Sequence, residues 1–173
     1  MKKLILILVT LLSAVVLHAQ TSALDKLFEK YSGAEGFTTV YISKAMFQMF
    51  ASLDTSTDGR DDMQKTIHGL TGIRILAVED PDKIPQGFNL YNAVMNATKN
   101  FHYEELMVVK QEGKDVKFLI QKNGAKIGEL LLLVGGTDEN VAISIQGDID
   151  LKNISNLSNM MNIQEMNELD NIK

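Results

Sequence analysis

Residues 114–136 read KDVKFLIQKNGAKIGELLLLVGG, and this stretch decides the fold. Before its centre, Val116, Phe118 and Ile120 alternate with mostly polar residues, which is the period of a strand with one buried face. A long apolar run follows the centre. Between the two runs lies Asn123-Gly124, a strong hairpin signal because a type I′ turn needs positive φ at both central residues. The stretch therefore predicts an antiparallel hairpin that turns at Asn123-Gly124.

This hairpin is the middle of a predicted antiparallel meander. The same period of two continues on both sides of it, and short glycine-containing segments separate the extended runs. We predict turns at Glu112-Gly113 and Gly135-Gly136. The predicted strands are Tyr103–Gln111, Asp115–Lys122, Ala125–Val134 and Asn140–Gln146.

Helices and strands alternate in the residues that precede the meander. Ser22 is a suitable N-cap for a helix through Tyr31, and Asn89 for a later helix. The intervening strands, 37–42 and 73–78, are rich in β-branched residues. A helix capped by Ser43 lies between them. We expect its core face, and that of later elements, to include four methionines: Met46, Met49, Met95 and Met107.

These elements predict an α+β fold. Two βα units followed by a four-strand meander give a mixed, mainly antiparallel sheet with helices mainly on one face. We expect the crossover between the first two strands, residues 37–78, to be right-handed. Residues 20–160 form a single predicted domain, and residues 161–173 an amphipathic C-terminal tail.

Composition excludes several classes of function. The 173 residues include no cysteine, so disulfides and thiolate metal sites are excluded, and we expect no lipid anchor. The formal net charge of -5 disfavours a nucleic-acid-binding protein, which needs a basic surface. A hydrophobic fraction of 45% is too high for a disordered chain.

The first nineteen residues have the pattern of an export signal. Lys2 and Lys3 precede the apolar run Leu4–Leu17, and Ala19 offers a small residue for cleavage before Gln20. The run is short for a permanent span of a ~30 Å hydrocarbon core. We therefore expect a periplasmic or secreted protein, cut after Ala19, with no permanent membrane span and a net charge of -7.

Candidate chemistry is sparse. The loop Asp54–Asp62 matches the oxygen-rich first part of a calcium loop, but Lys65 stands where the bidentate glutamate belongs. We therefore interpret it as a polar connection and expect no metal site. Glu79 follows an apolar strand, a position that often carries catalytic groups. A small hydrolase using Glu79 or the Asp54–Asp62 loop is the alternative that these residues leave open.

Two histidines and a group of lysines also have local explanations. His68 stands next to Gly69 at a predicted helix end, where an imidazolium suits the helix dipole, and His102 has no ligand-like spacing to it. Five lysines lie on the first hairpins among acidic residues, so we interpret them as a solvated face: Lys110, Lys114, Lys117, Lys122 and Lys126.

The chain resembles secreted Bacteroidetes proteins that contain the domain of unknown function 4252. The resemblance spans roughly residues 22–160. It implies an exported protein of a Gram-negative envelope, with no established activity, cofactor or catalytic residues to carry over. The segments that carry it are Leu27–Tyr31, Gly36–Val40, Ser43–Phe47, Ile73–Leu76 and Gly147–Leu151.

The expected function is that of a non-catalytic envelope module that binds a partner or a ligand. We assign no catalytic, cofactor-binding or metal-binding residue, and no cofactor. An envelope protein bound through the amphipathic tail, residues 161–173, is the expected partner. A component of envelope stress signalling is the other alternative, and the sequence does not separate it from the binding module.

Overall fold

The computed structural model describes residues 22–53, 67–137 and 139–149. The predictions for the leader, the Asp54–Asp62 loop and the C-terminal tail lie outside these residues. The elements in chain order are α1 (Ala23–Tyr31), β1 (Phe37–Ser43), α2 (Lys44–Leu53), β2 (Leu70–Val78), a 3-10 helix (Pro81–Lys83), α3 (Leu90–Thr98), β3 (Tyr103–Gln111), β4 (Lys114–Asn123), β5 (Lys126–Gly136) and β6 (Asn140–Ile149).

The six strands form one sheet in the order β1-β2-β6-β5-β4-β3. Every neighbouring pair is antiparallel. The α+β class with a mainly antiparallel sheet is therefore confirmed. The meander β3–β6 accounts for four of the six strands, and β1 and β2 extend it at the β6 side.

The expected parallel crossover between the first two strands is wrong. Phe37 pairs with Val78 and Ser43 pairs with Gly72, so β1 and β2 run in opposite directions. The connection that contains α2 leaves and re-enters the sheet at the same end. The rule for right-handed βαβ crossovers applies only to parallel strands and has no bearing here.

Two of the predicted turns are displaced along the chain. Asn123 pairs with Lys126, so the turn consists of Gly124 and Ala125. Gly124 has φ of 64°, as the first central position of a type II′ turn requires. Gly135 and Gly136 are the last residues of β5 and no turn, because both pair with β4. The Tyr91 ring packs where a Cβ of Gly135 would project, which explains a glycine inside the strand.

Each face of the sheet carries an apolar core. Helices α1 and α3 contact each other and pack on one face, which we call the α1 face. Leu131 and Leu133 of β5 point to this face, and the alternating Leu130 and Leu132 point to the opposite one, where α2 contributes Phe47. Two of the three α-helices in the described residues therefore share a face, and none of the three is long and apolar enough to cross a membrane.

Helix α2 does not bury the methionines expected in its core face. Met46 and Met49 are exposed, and Phe47 between them is buried. The apolar residues of α2 itself are spread over several sides of the helix. Its periodicity therefore does not define one buried face. Met95 and Met107, by contrast, are partly buried and pack against the cores as expected.

Candidate functional site

A buried carboxylate lies on the α1 face of the sheet. Glu129 is 2% exposed, although it belongs to an otherwise apolar part of β5. Side chains alternate along a strand, so Glu129 shares its face with Leu131 and Leu133, below the start of α1. A buried ionisable group needs hydrogen-bonding partners, because burial without them costs several kcal/mol.

Three hydroxyl groups supply these partners. Ser22 donates to Oε1 of Glu129 at 2.6 Å, and Ser144 donates to the same oxygen at 2.5 Å. Tyr103 donates to Oε2 at 2.6 Å. The three donors come from the start of α1, from β6 and from β3, so a single carboxyl group joins three separate parts of the chain.

Burial dominates the electrostatics of this cluster. It raises the pKa of Glu129 above its ordinary value, while the hydrogen bonds from Ser144, Ser22 and Tyr103 oppose the increase. Burial also raises the pKa of Tyr103 far above its usual range, and the negative charge of Glu129 adds to that effect. Tyr103 is therefore a permanent hydroxyl donor to Glu129.

The same serine that binds Glu129 also begins the first helix. The Ser22 hydroxyl accepts a hydrogen bond from the backbone N–H of Leu24 at 3.1 Å. In return, Asp25 accepts one from the Ser22 N–H at 3.0 Å, which completes a capping box. Ser22 is thus the predicted N-cap, and its hydroxyl satisfies the helix and the carboxylate together.

A second set of polar contacts continues from Asp25 across the sheet. Arg74 Nη1 lies 3.1 Å from Asp25 Oδ1 and donates to Gln146 Oε1 at 2.9 Å. Gln146 Nε2 donates to Asp25 Oδ1 at 3.1 Å and is 3.3 Å from Ser144 Oγ. The Arg74 guanidinium also stacks on the Tyr41 ring, 4.9 Å from its centroid.

Together these residues form one polar network between α1 and the sheet. It extends from the edge strand β1 to the edge strand β3 and passes under the first turn of α1. A connected set of buried, satisfied polar groups holds its members in fixed positions. The members of the polar network are Ser22, Asp25, Tyr41, Arg74, Tyr103, Glu129, Ser144 and Gln146.

A cleft of about 510 Å³ opens beside the network, and we call it the Glu129 cleft. Its wall includes the network members Ser22, Glu129 and Gln146. It also includes Gln121 and Asn123, whose side chains are amides. Gly69, Gly128 and Gly147 leave backbone accessible in the wall, and an ion pair between Lys126 and Asp148 lies at the cleft.

The residues singled out in the sequence do not meet at this cleft. Glu79 is exposed and follows the opposite end of β2, where its backbone N–H donates to the Gly36 carbonyl. It lines neither the Glu129 cleft nor the second cavity, a space of about 420 Å³ beside Tyr91. His68 and His102 are both exposed, and His68 lies at a helix end as expected.

Acidic residues pair with four of the five hairpin lysines. Lys117 pairs with Glu105 and Lys122 with Glu104 across β3 and β4. Lys114 pairs with Glu139, and Lys126 with Asp148. Lys110, Lys122 and Lys126 are exposed, as a solvated face requires, whereas Lys114 and Lys117 are half-buried. Within the described residues, no group of three histidine or carboxylate side chains is placed to hold a metal ion.

The comparison with known protein families agrees with the resemblance in the sequence. A family model described as "Domain of unknown function (DUF4252)" matches residues 31–157. The chain belongs to this family. The match begins within α1 and includes the whole sheet. No curated protein and no solved structure matches the chain, so the DUF4252 assignment brings no activity with it.

Sequence reasoning identified Ser22 as a cap but missed Glu129, Tyr103 and Ser144 as a cluster. One signal was present. Glu129 is a single carboxylate inside a strand whose other residues from Ile127 to Val134 are apolar or glycine. A lone charge on such a strand indicates either a buried network or an edge position. The donors themselves lie on other elements and carry no mark in the local pattern.

Proposed function

We propose that this DUF4252 protein is an exported, non-catalytic module of the bacterial envelope that binds a small neutral polar ligand in the Glu129 cleft. The observation that carries the proposal is the chemistry of the cleft wall. Amide, hydroxyl and backbone groups dominate it, and its one lysine is paired with Asp148. Such a wall suits a ligand that both donates and accepts hydrogen bonds.

The size and rigidity of the cleft support this proposal. Its volume of about 510 Å³ lies within the range of roughly 300–1,000 Å³ that is typical of small-molecule sites. Ser22, Glu129 and Gln146 are held by the polar network before any ligand arrives. A preformed wall reduces the entropy that binding would otherwise cost.

The surroundings of the two serine hydroxyls support a binding role over hydrolysis. Ser22 and Ser144 both donate to Glu129, which superficially resembles a nucleophile beside a base. However, Ser144 is fully buried and does not line the cleft, and the Ser22 hydroxyl also accepts the Leu24 N–H as the cap of α1. Glu79, the residue of the hydrolase alternative, is far from both.

Export is the second part of the proposal, and it rests on the leader. Lys2, Lys3 and the apolar run before Ala19 match a cleavable signal. The test is to express the full sequence in a Gram-negative host and to determine the N-terminus of the product by mass spectrometry. A chain that begins at Gln20 in the periplasmic or culture fraction supports export, and an intact chain in the cytoplasm contradicts it.

Titration with neutral hydrogen-bonding probes tests the ligand site. Glucose, N-acetylglucosamine and diglycine can be added at millimolar concentration while backbone amide shifts are recorded by NMR. We expect saturable shifts for at least one probe around Gly128 and Gly147. Gln121→Ala and Asn123→Ala should each weaken that binding about tenfold, a loss of about 1.4 kcal/mol.

Gln111→Ala is the matched control, because Gln111 lines the second cavity and not the Glu129 cleft. It should leave the affinity unchanged. The proposal is wrong if none of the probes gives saturable shifts at the cleft, or if the Gln111 variant loses as much affinity as the Gln121 variant.

The amphipathic tail, residues 161–173, gives a separate proposal for a partner. Met161, Ile163, Met166 and Leu169 recur at helical spacing, as in segments that bind a groove on another protein. We expect deletion of residues 161–173 to abolish co-purification with an envelope protein and to leave the circular dichroism spectrum of the domain unchanged. Unchanged co-purification would contradict this proposal.

A further inference from the structure

We propose that two copies of this chain associate through strand β1 and continue the antiparallel sheet across a two-fold axis at Val40. Strand β1 ends the strand order, so within the described residues its outer edge pairs with no other strand. An edge strand offers a row of backbone N–H and C=O groups to any chain that can align with it.

Exposed apolar side chains concentrate at this edge. In the part of the chain that the structure describes, the large hydrophobic residues that are exposed all fall between positions 40 and 49. They are Val40 at 39%, Tyr41 at 54%, Met46 at 41% and Met49 at 48%. Val40 and Tyr41 point to opposite faces of β1, and α2 begins directly after β1. Burial of these four side chains would stabilise a dimer through contacts on both faces of the sheet.

The opposite edge of the sheet shows what a protected edge looks like. Strand β3 contains Glu104, Glu105 and Lys110, and its pairing with β4 is interrupted by a register shift after Glu105. Charges and irregularities of this kind prevent strands from pairing between molecules. Strand β1, with the sequence FTTVYIS, has no charged residue. The chain therefore protects one edge and leaves the other able to pair.

The β1 sequence complements itself in an antiparallel arrangement. Val40 is the central residue of the seven in β1, so a two-fold axis there places Val40 opposite Val40 of the second copy. Thr39 then lies opposite Tyr41, and Thr38 opposite Ile42. Pairs of β-branched and aromatic residues across strands each contribute roughly 0.2–1 kcal/mol.

Charges just outside β1 fit the same register. Glu35 lies just before β1 in the chain and Lys44 directly after it, and both are exposed. With Val40 on the axis, Lys44 of one copy lies one residue from Glu35 of the other, and the symmetry repeats this pair at the other end. Two acidic chains repel each other overall, so an edge with complementary charges is the favoured meeting place.

Cross-linking tests the register directly, because the chain has no cysteine of its own. Residues that face each other in antiparallel strands have Cα atoms about 4.5–5.5 Å apart, within the range that a disulfide bridges. We expect Val40→Cys to form a disulfide-linked dimer under mild oxidation. Thr137→Cys, at an exposed loop of the far end of β5, is the matched control and should remain monomeric.

Mass measurement in solution tests the association without cross-linking. The wild-type chain should show a monomer–dimer equilibrium by analytical ultracentrifugation, weak because an interface of one strand is small. Val40→Lys should raise the dissociation constant at least tenfold, and Thr137→Lys should leave it unchanged. Identical far-UV circular dichroism of both variants excludes unfolding as the cause.

Charge reversal distinguishes a dimer formed through β1 from a dimer formed through another surface. Glu35→Lys and Lys44→Glu should each weaken the dimer, and the double variant should restore it, because both charges of the pair are then exchanged. A wild-type chain that stays monomeric at about 0.5 mM, the weak end of the affinity scale, overturns the proposal. So does a dimer that Val40→Lys leaves intact, since that dimer uses another surface.

Discussion

Ser22 and Glu129 are separated by 107 residues in the chain and joined by a hydrogen bond of 2.6 Å from the serine hydroxyl to the carboxylate. The same hydroxyl accepts the Leu24 N–H at the start of α1. One small side chain therefore fixes where the first helix begins and where that helix rests on the sheet. This link also shapes the Glu129 cleft, because both residues line it.

Ser22→Ala should lower the free energy of unfolding by more than the loss of an ordinary helix cap does. A cap is worth about 1 kcal/mol, and a buried acceptor that loses a donor costs about 1–3 kcal/mol. We therefore expect the free energy of unfolding to fall by about 2–4 kcal/mol in urea titrations followed by circular dichroism.

Asn89→Ala provides the matched control for this prediction. Asn89 caps α3 by accepting the Asn92 N–H at 2.8 Å, and its side chain is exposed. It should lose only the cap, about 1 kcal/mol. Equal losses in the two variants would show that the contact between Ser22 and Glu129 contributes no stability.

The elements that were predictable from sequence are those with local chemical markers. Ser22 and Asn89 are N-caps, and Glu112-Gly113 forms a two-residue turn with φ of 75° at Gly113, all as the sequence indicates. The direction of β2 relative to β1 has no such marker. It depends on which end of the sheet the chain re-enters after α2, and hydrophobic periodicity is the same for both directions.

The polar network was beyond sequence reasoning for a related reason. The hydroxyl donors to Glu129 lie 107, 26 and 15 residues away from it in the chain. Serine and tyrosine occur throughout the sequence, and only the fold selects these three. A lone carboxylate in an apolar strand predicts that partners exist, but it does not say which residues they are.

Glu129→Gln should change how stability depends on pH. Because burial raises the pKa of Glu129, the folded chain keeps this proton to higher pH than the unfolded chain does. The contribution of Glu129 to stability is thus complete below its unfolded pKa of about 4.3 and is lost as pH rises through the folded pKa. A glutamine side chain does not titrate in this range, so the variant lacks this pH-dependent contribution.

The difference in stability between wild type and Glu129→Gln should therefore fall steadily as the pH increases from about 4 and then become constant. Thermal melts in a series of buffers of equal ionic strength measure this difference, and other titrating groups cancel in the comparison. A difference that grows with pH would mean that the hydroxyl donors outweigh burial and lower the pKa.

Arg74→Met should destabilise the second part of the polar network. The change removes the ion pair with Asp25, the hydrogen bond to Gln146 and the stacking on Tyr41. Asp25 is largely buried, and without Arg74 its carboxylate would lose the guanidinium that pairs with it. We expect a loss of about 2–3 kcal/mol, below the 3–5 kcal/mol of a fully buried broken pair.

Lys83→Met is the control for the ion pair, because Lys83 and Asp80 form a pair that is exposed on both sides. Exposed pairs contribute about 0–1 kcal/mol. Urea titrations should therefore show a clearly larger loss in the free energy of unfolding for Arg74→Met than for Lys83→Met. Similar losses for Arg74→Met and Lys83→Met would contradict a role of Arg74 in holding α1 on the sheet.

Gly147→Ala should be severely destabilising, because two separate restrictions apply at this position. Its φ is 140°, a value that residues with a side chain rarely adopt. A Cβ there would also project into the carbonyl oxygen of Gly69 and the Cα of Leu70, where β2 and β6 shift register. Both obstacles are backbone atoms, one in β2 and one in the residue directly before it, and they cannot rotate away as a side chain can.

Gly124→Ala separates the two restrictions. Gly124 has φ of 64°, but a Cβ there meets no atom within 4 Å. It should cost about 1 kcal/mol for the backbone conformation alone, whereas Gly147→Ala should cost about 3 kcal/mol or more because overpacking adds to the strain. Since Gly147 lines the Glu129 cleft, its substitution should also abolish the ligand-dependent NMR shifts there, and the Gly124 variant should keep them. Equal stability losses would show that β2 moves aside to accept a side chain at Gly147.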